Sequence, residues 1–411
     1  MAKQKLTKKL QLQDLILKGK KVLVRVDFNV PLNKDGTISD DTRIREALPT
    51  IQYILNQGGS VILISHLGRP KSKRDVHYSL GICAKRLSQL IAAPVFFATD
   101  CLGKETKKAV QDLKGGQVIL LENLRFYPAE ENPSLDPNFA KHLASLGDCY
   151  VGDAFGTAHR AHTSTTSIPQ LLPGKAALGL LMQKEIACLE PLFKQPQHPF
   201  FAVVGGAKIS TKLGILNALL PKVEALFIGG GMAFTFFKAQ GLEIGDSIYD
   251  ETCLQQAQVF LQTATLSKTK VYFPIDLVIA DAFRNDATYK IIDMKEGIPK
   301  GWQGVDIGPK TIELWTKTFQ EAATLFWNGP FGVFEFPHFA RGTQEMAKAI
   351  ASLKALTVVG GGDSVAAINA LGLGGKFSHV STGGGAALEY LEFGHLPGID
   401  FLSDKKEETK L

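Results

Sequence analysis

Short apolar runs recur along the chain, and most of them are followed by a segment with the spacing of a helix. The runs are rich in Val, Ile, Leu and Phe and do not alternate with polar residues, which is typical of parallel strands covered on both faces. In the first half of the chain the predicted strands are Val22–Val26, Val61–Ser65, Val95–Ala98, Val118–Glu122 and Cys149–Gly152. In the second half they are Phe200–Val204, Ala225–Ile228, Lys270–Pro274, Thr324–Trp327, Thr357–Val359 and His379–Ser381. The pattern predicts an α/β fold with two doubly wound parallel-sheet (Rossmann-like) domains, joined by an interdomain helix and hinge.

The balance of charge changes where a helical segment, Lys175–Lys194, is predicted. Residues 1–183 contain 25 Lys and Arg against 16 Asp and Glu, a net charge of +9, whereas residues 184–411 contain 21 against 24, a net charge of −3. We therefore predict an N-terminal domain over 1–174, an interdomain helix over 175–194, a C-terminal domain over 195–392 and a tail over 393–411. The tail is expected to return to the N-terminal domain, with a frayed end from Ser403.

The bulk composition is that of a globular protein, with 411 residues of which 45% are hydrophobic and 21% charged. This length allows two or three domains with their own cores. No apolar run approaches the ~20 residues of a membrane span, and the charged start of the chain, MAKQKLTKKLQLQDL, lacks the apolar core of a signal peptide. Five cysteines without CxxC spacing favour reduced thiols over disulfides or a structural zinc site. These features predict a cytoplasmic protein that does not act at a membrane.

Polar and cationic residues follow the predicted strands of the first half. The residues at these strand ends are Asp27 and Asn29, His66 and Arg69, Arg125, and His159, Arg160 and His162. Each one alone is compatible with a surface charge or a local cap. The carboxyl ends of parallel strands meet at one edge of a sheet, however, and Arg side chains there suit carboxylate and phosphate groups. The first half is therefore predicted to bind a small anionic ligand.

Glycine follows the predicted strands of the second half, in the runs VVGGAK (203–208), FIGGGMA (227–233), VVGGGDS (358–364) and VSTGGGA (380–386). Each run opens a predicted helix, where backbone N–H groups bind anions and glycine permits close approach. The first run leads into a predicted helix over Ile209–Leu220, and Lys208 and Lys212 are expected on one helical face. One such run also fits an ordinary turn, but four favour a polyphosphate nucleotide.

Three polar residues of the second half fit the same ligand. Asn328 and Glu335 lie in WNGPFGVFE, and Glu335 could hydrogen-bond ribose hydroxyls. Asp363, directly after three glycines, is the best-placed carboxylate for Mg²⁺, which takes one or two carboxylates plus phosphate oxygens. The alternative for Asp363 is an N-cap of the following helix.

Several classes of enzyme are excluded by missing motifs. The sequence contains no GxxxxGK[ST] of P-loop proteins, no HRD and DFG pair of protein kinases, no GxSxG and no HExxH. No GxGxxG follows a strand in the first half, which weakens a dehydrogenase interpretation. The basic first half also leaves nucleic-acid binding open, but its charges are spread over many segments without an RNA-type aromatic motif.

Nine short blocks resemble those of phosphoglycerate kinases, occur in the order of that family and span residues 25–386. The blocks are RVDFNVP (25–31), SHLGRP (65–70), LLENLRF (120–126), DAFGTAHRAH (153–162), VVGGAKISTK (203–212), IGGGMAFTF (228–236), WNGPFGVFEF (327–336), VVGGGDS (358–364) and STGGGA (381–386). The resemblance implies reversible phosphoryl transfer between 1,3-bisphosphoglycerate and ADP, giving 3-phosphoglycerate and ATP, by a monomer whose domains close. It also implies Mg²⁺ as the cofactor, bound with the nucleotide.

The resemblance implies specific roles for the residues of these blocks. The expected 3-phosphoglycerate ligands in the N-terminal domain are Asp27, Phe28, Asn29, Arg43, His66, Leu67, Gly68, Arg69, Arg125 and Arg160. The expected nucleotide ligands are Gly206, Ala207, Lys212, Gly230, Gly304, Asn328, Glu335, Gly361, Gly362, Asp363 and Ser364, with Asp363 also at the metal. The groups expected to stabilise the transferring phosphoryl group are Arg43, Lys208, Gly383 and Gly384.

Three positions depart from the pattern of the family: Gly152, Phe331 and the turn Phe393–His395. Gly152 is expected to loosen the strand before Arg160, and Phe331 to alter the wall near the nucleotide base. The second candidate function is a binding protein that kept the fold without catalysis. Having both Arg43 and Lys208 argues against it, because binding without turnover does not need both.

Overall fold

The computed structural model describes residues 8–70 and 75–405, and these residues form two compact units. Unit 1 runs to Ala187 and resumes at His395, whereas unit 2 spans Cys188–Gly394. Each unit contains one six-stranded parallel sheet, so the predicted α/β class with two doubly wound sheets is confirmed. None of the helices in the described ranges is both long and apolar enough to cross a membrane.

The strands overlap every strand predicted from the apolar runs and add four that were not predicted. In unit 1 they are β1 (Lys21–Val26), β2 (Ser60–Ile64), β3 (Val95–Phe97), β4 (Val118–Leu120), β5 (Cys149–Asp153) and β6 (Ala176–Leu178). In unit 2 they are β7 (Phe200–Val204), β8 (Ala225–Ile228), β9 (Lys270–Tyr272), β10 (Asp276–Ala280), β11 (Tyr289–Asp293), β12 (Gln303–Ile307), β13 (Thr324–Asn328), β14 (Leu356–Gly360) and β15 (His379–Val380).

The helices mostly follow the strands, as expected for parallel sheets. Up to the link between the units they are α1 (Thr42–Asn56), α2 (Gly81–Leu90), α3 (Lys104–Asp112), α4 (Pro137–Ala144), α5 (Ile168–Gln170) and α6 (Leu180–Lys194). The later helices are α7 (Leu213–Leu219), α8 (Ala233–Ala239), α9 (Leu254–Leu266), α10 (Pro309–Phe319), α11 (Arg341–Ala351), α12 (Gly362–Ala370), α13 (Gly384–Phe393) and α14 (Pro397–Asp400).

The sheet of unit 1 has the strand order β3-β4-β2-β1-β5-β6, and the large sheet of unit 2 has the order β15-β14-β13-β7-β8-β9. The central strands are buried along their whole length, which explains why they read as apolar runs without alternation. Side chains such as Val24, Ile51 and Leu63 fill the core of unit 1. Aromatic side chains, including Trp315 and Trp327, fill that of unit 2.

The linking helix is shorter than predicted. Residues 176–178 are not helical but form β6, paired in parallel with β5, and α6 begins only at Leu180. The intervening Gly179 packs on Asp153, since a Cβ there would lie 2.2 Å from Oδ1. Asp153 Oδ1 then accepts the N–H groups of Leu181 and Met182 at the start of the helix. The division between the units falls inside α6, after Ala187, rather than at its ends.

The predicted helix over Ile209–Leu220 is also interrupted. A 3-10 turn covers Ile209–Thr211, and α7 starts at Leu213 because Lys212 has φ −122° and ψ −16°, outside the helical region. Ser and Thr in the 3-10 turn favour local hydrogen bonds over a regular helix. Lys208 is extended, with φ −109° and ψ 116°, so the expectation that Lys208 and Lys212 share one helical face is wrong.

A small antiparallel sheet in unit 2, with the order β11-β10-β12, was not predicted. Its strand β11 is mostly exposed and reads YKIID, which lacks the apolar run used to find the other strands. Residues of β10 and β12 form part of a cavity wall described below.

Residues 395–405 pack within unit 1. The N–H of Ser403 donates to Ala176 O at 2.9 Å, and Lys9 Nζ donates to Leu402 O at 2.7 Å. The predicted frayed end from Ser403 therefore does not apply to Ser403–Lys405, while residues 406–411 lie outside the described residues.

Candidate active site

The polar strand ends of unit 1 come together because their strands are neighbours. The order β4-β2-β1-β5 places four carboxyl ends side by side at one edge. The residues that follow these strands are Arg125 after β4, His66 and Arg69 after β2, Asp27 and Asn29 after β1, and His159, Arg160 and His162 after β5. The edge predicted from the sequence is therefore present in the fold, and it carries more cations than carboxylates.

Asp27 and Arg43 form a pair at this edge. Arg43 Nη1 donates to Asp27 Oδ2, and the backbone N–H of Asn29 donates to Asp27 Oδ1 at 3.3 Å. Burial alone would raise the pKa of Asp27, but the charges of Arg43, His66 and Arg25 lower it to about 2. Asp27 is therefore ionised at neutral pH and orients Arg43, whose side chain remains 32% exposed.

The loop SHLGR (65–69) is held by polar side chains from two neighbouring strand ends. Asn29 Oδ1 accepts the N–H of Gly68 at 2.7 Å, and Arg125 Nη1 donates to Gly68 O at 2.8 Å. Asn123 Nδ2 donates to Leu67 O at 2.7 Å. Gly68 has φ +60°, and a Cβ there would lie 2.2 Å from the ring of Tyr78, so only glycine fits. These contacts fix the backbone from which the exposed Arg69 side chain projects.

Three histidines lie among the arginines, and all three have lowered pKa values. Burial, opposed by Asp27, lowers the pKa of His66 well below its usual range. Burial and the neighbouring charges of Arg25, Arg125 and Arg160 lower the pKa of His162 to about 3, and burial with Arg160 also lowers that of His159. The positive charge of this edge at neutral pH therefore comes from arginine.

Two buried charged residues behind the edge were missed from the sequence. Arg25 lies within strand β1, is 1% exposed, and contacts His66 Nδ1 through Nη2 at 3.2 Å. Glu130 is fully buried and accepts Ser164 Oγ at 2.6 Å. Burial raises the pKa of Glu130, against the lowering effect of Arg25 and Ser164. Arg25 belongs to the block RVDFNVP, but its position inside strand β1 gave no indication of a role at the site.

Unit 2 contains a cavity of about 210 Å³ beside the glycine turns. The predicted nucleotide residues that line it are Gly206, Ala207, Gly230, Gly304, Glu335 and Asp363. Much of the remaining wall is apolar, with Phe234, Phe283 and Phe331 among its residues. An apolar cavity bordered by glycine turns fits a flat aromatic base next to a polar phosphate chain.

The turns after β7, β8 and β13 pack against one another through backbone atoms. Gly206 N donates to Pro330 O at 2.9 Å, and Met232 N donates to Gly206 O at 2.9 Å. A Cβ on Gly230, which has φ +69°, would lie 2.7 Å from Gly206 N. The turns can approach this closely only because glycine has no side chain. Packing between the turns therefore explains these glycines even without a bound ligand.

The helix starts after β14 and β15 also meet. A Cβ on Gly384 would lie 2.3 Å from the Cα of Gly361, which has φ +103°. Gly361 is the N-cap of α12, and Gly383 is the N-cap of α13. Gly362 is the first residue of α12, and two positive helix ends are therefore adjacent at this edge.

Lys212 is held beside these helix starts. Its ammonium group donates to Asn328 Oδ1, and Asn328 Nδ2 donates to Gly360 O at 2.8 Å. Burial lowers the pKa of Lys212 to about 8, although the charge of Asp363 opposes this effect. Ser364 Oγ accepts the N–H of Gly329 at 2.6 Å, which ties the two turns together. Lys208, by contrast, is exposed in the extended segment before α7.

Asp363 fits the requirements of a magnesium ligand that comes with a nucleotide. It is exposed in the first turn of α12 and lines the cavity, whereas the N-cap is Gly361 and no side chain caps the helix. In the described part of the chain no group of three or more His, Cys, Asp or Glu could hold a metal by itself. One carboxylate completed by phosphate oxygens is the arrangement that Mg²⁺ commonly adopts with nucleotides.

Phe331 and Asp306 also line the cavity, and only Phe331 was expected there from the sequence. Phe331 is 2% exposed, lines the cavity and stacks on Trp327 at a centroid distance of 6.0 Å. Asp306 accepts Gly342 N at 2.7 Å and Ile307 N at 2.9 Å, and burial raises its pKa to about 7. No motif marks Asp306, because a helix-capping carboxylate depends on tertiary contacts.

Comparisons with known proteins agree over nearly the whole chain. The family profile described as phosphoglycerate kinase matches residues 12–394. The chain is 52% identical over 397 residues to a phosphoglycerate kinase of Dictyoglomus turgidum, which covers 96% of this chain and 98% of that protein. It is 50% identical over 397 residues to a phosphoglycerate kinase of Moorella thermoacetica, covering 97% and 100%. The solved structure of phosphoglycerate kinase from Coxiella burnetii matches with a TM-score of 0.83 at 38% identity, covering 96% and 98%. The chain therefore belongs to the phosphoglycerate kinase family.

Proposed function

We propose that this chain transfers the terminal phosphoryl group of Mg–ATP to the carboxyl group of 3-phosphoglycerate, giving 1,3-bisphosphoglycerate and Mg–ADP, and that it catalyses the reverse transfer. In this proposal unit 1 binds the acid and unit 2 binds the nucleotide. The observation that carries it is the edge of unit 1, where Arg69, Arg125 and Arg160 follow neighbouring strands of one sheet. Arg43, from helix α1, joins them through its pair with Asp27. A ligand with a carboxylate at one end and a phosphate at the other suits such a set of arginine forks.

The proposed chemistry explains why no general base needs to be assigned. A carboxylate has a reference pKa of ~4 and is ionised at neutral pH, so it can attack phosphorus without losing a proton first. The histidines at this edge have lowered pKa values and are assigned to hydrogen bonding rather than proton transfer. What remains for the protein is to position the reactants and to balance negative charge.

Phosphoryl transfer spreads negative charge over three equatorial oxygens while the attacking and leaving oxygens lie in line. We assign the balancing groups to Arg43, Lys208 and the backbone N–H groups at Gly383 and Gly384. Mg²⁺, bound with the nucleotide and held by Asp363, supplies further positive charge next to the phosphates. Lys212, tied to Asn328, is assigned to holding the phosphates of the nucleotide.

The acid and the nucleotide are proposed to bind to different units. Transfer therefore requires a motion that brings the two substrates together. Closure would also exclude water, which otherwise hydrolyses ATP or the acyl phosphate. Helix α6 starts in unit 1 and ends in unit 2, and this continuity makes it the element that we assign to the motion.

An assay of ADP formation from ATP tests the proposal. Formation should require both 3-phosphoglycerate and Mg²⁺, and glycerate, which lacks the phosphate, should not replace the acid. ADP that forms equally without 3-phosphoglycerate would indicate an ATPase. Binding of both ligands without ADP formation would indicate the non-catalytic alternative. Retention on DNA or RNA with a steep salt dependence would support the nucleic-acid alternative.

We also propose that the enzyme works as a monomer in the cytoplasm. All five cysteines are free thiols, and four of them are buried, which suits a reducing compartment. Light scattering coupled to size-exclusion chromatography checks the monomer, with a mass near 44.6 kDa expected.

A further inference from the structure

Arg25 has no assigned role, although it contacts a proposed substrate ligand from inside the protein. It is 1% exposed, and its Nη2 lies 3.2 Å from His66 Nδ1. A guanidinium group can only donate hydrogen bonds. Nδ1 of His66 is therefore the acceptor, and the single proton of the neutral ring must lie on Nε2.

The competing arrangement places the proton on Nδ1 and directs it at Asp27. The distance from His66 Nδ1 to Asp27 Oδ1 is 3.8 Å, which is too long for a hydrogen bond. Both oxygens of Asp27 already have donors, Arg43 on Oδ2 and the N–H of Asn29 on Oδ1. The contact with Arg25 is thus the one that decides the tautomer.

Arg25 is itself held in place by buried partners. Its Nε donates to Ser164 Oγ at 2.8 Å, and Nη1 donates to Val26 O. Ser164 Oγ in turn donates to Glu130 Oε1 at 2.6 Å, and the same carboxylate oxygen lies 4.0 Å from Arg25 Nη2. A guanidinium group fixed on three sides has little freedom to turn away from His66.

The charges around His66 agree with a neutral ring. Burial lowers the pKa of His66, Asp27 raises it, and Arg25, Arg125 and Arg43 lower it further. Within residues 8–70 and 75–405, Nε2 makes no hydrogen bond, so its proton is available to a ligand.

We propose that Arg25 is a positioning residue that fixes His66 as the Nε2–H tautomer, so that His66 offers a neutral N–H donor to an anionic oxygen of the bound acid. The second part of this statement rests on the proposed function, whereas the first part concerns the protein without ligand. Arg25 acts through His66 and does not touch the acid itself.

Long-range ¹H–¹⁵N correlation spectra of the full chain, recorded without substrate at pH 7, test the tautomer. The peaks of His66 are assigned from their loss in His66→Gln. We expect the wild-type ring to carry its proton on Nε2 and Arg25→Met to show proton transfer to Nδ1 or a mixture. Arg86→Met, which removes a surface arginine paired with Asp41, should leave the His66 pattern unchanged.

A proton on Nδ1 in the wild type would overturn the proposal, as would an unchanged His66 pattern in Arg25→Met. The first of these outcomes overturns the proposal whether or not Arg25→Met folds. The spectrum needs no substrate, so it separates this inference from the proposed function.

A pair of His66 variants tests the donor role. The amide nitrogen of Gln is as many bonds from Cβ as Nε2 of His, whereas that of Asn corresponds to Nδ1. Titration calorimetry with 3-phosphoglycerate should show that His66→Gln binds more tightly than His66→Asn, which is expected to lose about tenfold or more. The opposite order would refute the Nε2 donor. A wild type that does not bind 3-phosphoglycerate would refute the proposed function and the donor role, but not the tautomer.

Discussion

Arg43 donates a hydrogen bond to the carboxylate of Asp27, although the two residues come from different elements. Asp27 follows β1, and Arg43 lies in the first turn of α1. The loop after β5 closes over the pair, because a Cβ on Gly156 would lie 2.4 Å from Asp27 Oδ2 and 3.6 Å from Arg43 Nη1. The arginine that we assign to the transferring phosphoryl group is thus oriented by contacts within the protein.

Gly156→Ala should disturb this pair and lower kcat/KM for 3-phosphoglycerate. The added methyl group must push Asp27 or the loop aside, and displacements of about 1 Å in an active site can cost roughly a hundredfold in rate. Gly152→Ala is the matched control, because a Cβ there meets nothing closer than 3.5 Å. Equal steady-state kinetics in the two variants would show that the close approach at Gly156 has no functional role.

Arg43→Ala and Lys208→Ala should each lower kcat by about 10²–10³ while weakening substrate binding much less, because a preorganised charge acts mainly in the transition state. Steady-state kinetics with both substrates varied gives the two effects separately. Arg45→Ala, an exposed neighbour paired with Asp41, controls for the first variant. Lys238→Ala, on the surface of α8, controls for the second. Near-normal kcat in either active-site variant would remove that residue from the proposed role.

Asp363→Ala should change the dependence of the rate on Mg²⁺. Loss of the proposed carboxylate ligand leaves the metal held by phosphate oxygens alone, so the Mg²⁺ concentration needed for half-maximal rate should rise. The measurement is a Mg²⁺ titration at fixed ATP. Asp286→Ala removes an exposed carboxylate elsewhere in unit 2 and should give the wild-type curve. A wild-type curve for Asp363→Ala as well would show that the metal assignment is wrong.

Asp153→Asn should reduce the pH dependence of stability between about pH 4 and pH 7. Burial raises the pKa of Asp153 to about 7, against hydrogen bonds from Thr50, Met182 and Leu181. Because the folded state holds this proton more tightly than the unfolded chain, stability falls as pH rises through that window, by about 4 kcal/mol for a shift of ~3 units. The lowered pKa of Asp27 acts only at more acidic pH.

Thermal unfolding from pH 5 to pH 8 measures this effect. The unfolding temperature of Asp153→Asn relative to wild type should increase with pH. A difference between the two proteins that stays constant over this range would mean that Asp153 does not titrate as its burial implies.

The sequence was sufficient to predict the parallel sheets and the edge at which the site residues meet. Strands such as β2 and β7 are buried on both faces, so each consists of consecutive apolar residues that can be recognised in the sequence. The position of Arg125 or Asn29 after such a strand then follows from the geometry of parallel sheets. Recognition of the family blocks added Arg43, which lies in a helix rather than at a strand end.

Features that depend on long-range contacts could not be predicted in the same way. Ala176–Leu178 looks helical by composition and becomes a strand only because β5 offers a partner. The hydrogen bond of Lys212 joins it to Asn328, which is 116 residues away in sequence. Arg25 and Glu130 are buried beneath the site residues, and no local sequence pattern distinguishes them from other buried residues.

The central claim is that the acid takes a phosphoryl group from the nucleotide on its carboxyl oxygen. ³¹P NMR of the enzyme with ATP, Mg²⁺ and 3-phosphoglycerate tests it most directly, because an acyl phosphate, a phosphomonoester and inorganic phosphate give separate signals. The account predicts an acyl-phosphate signal that grows together with ADP and reverts when excess ADP is added. Formation of ADP with inorganic phosphate as the only new phosphorus signal would contradict it.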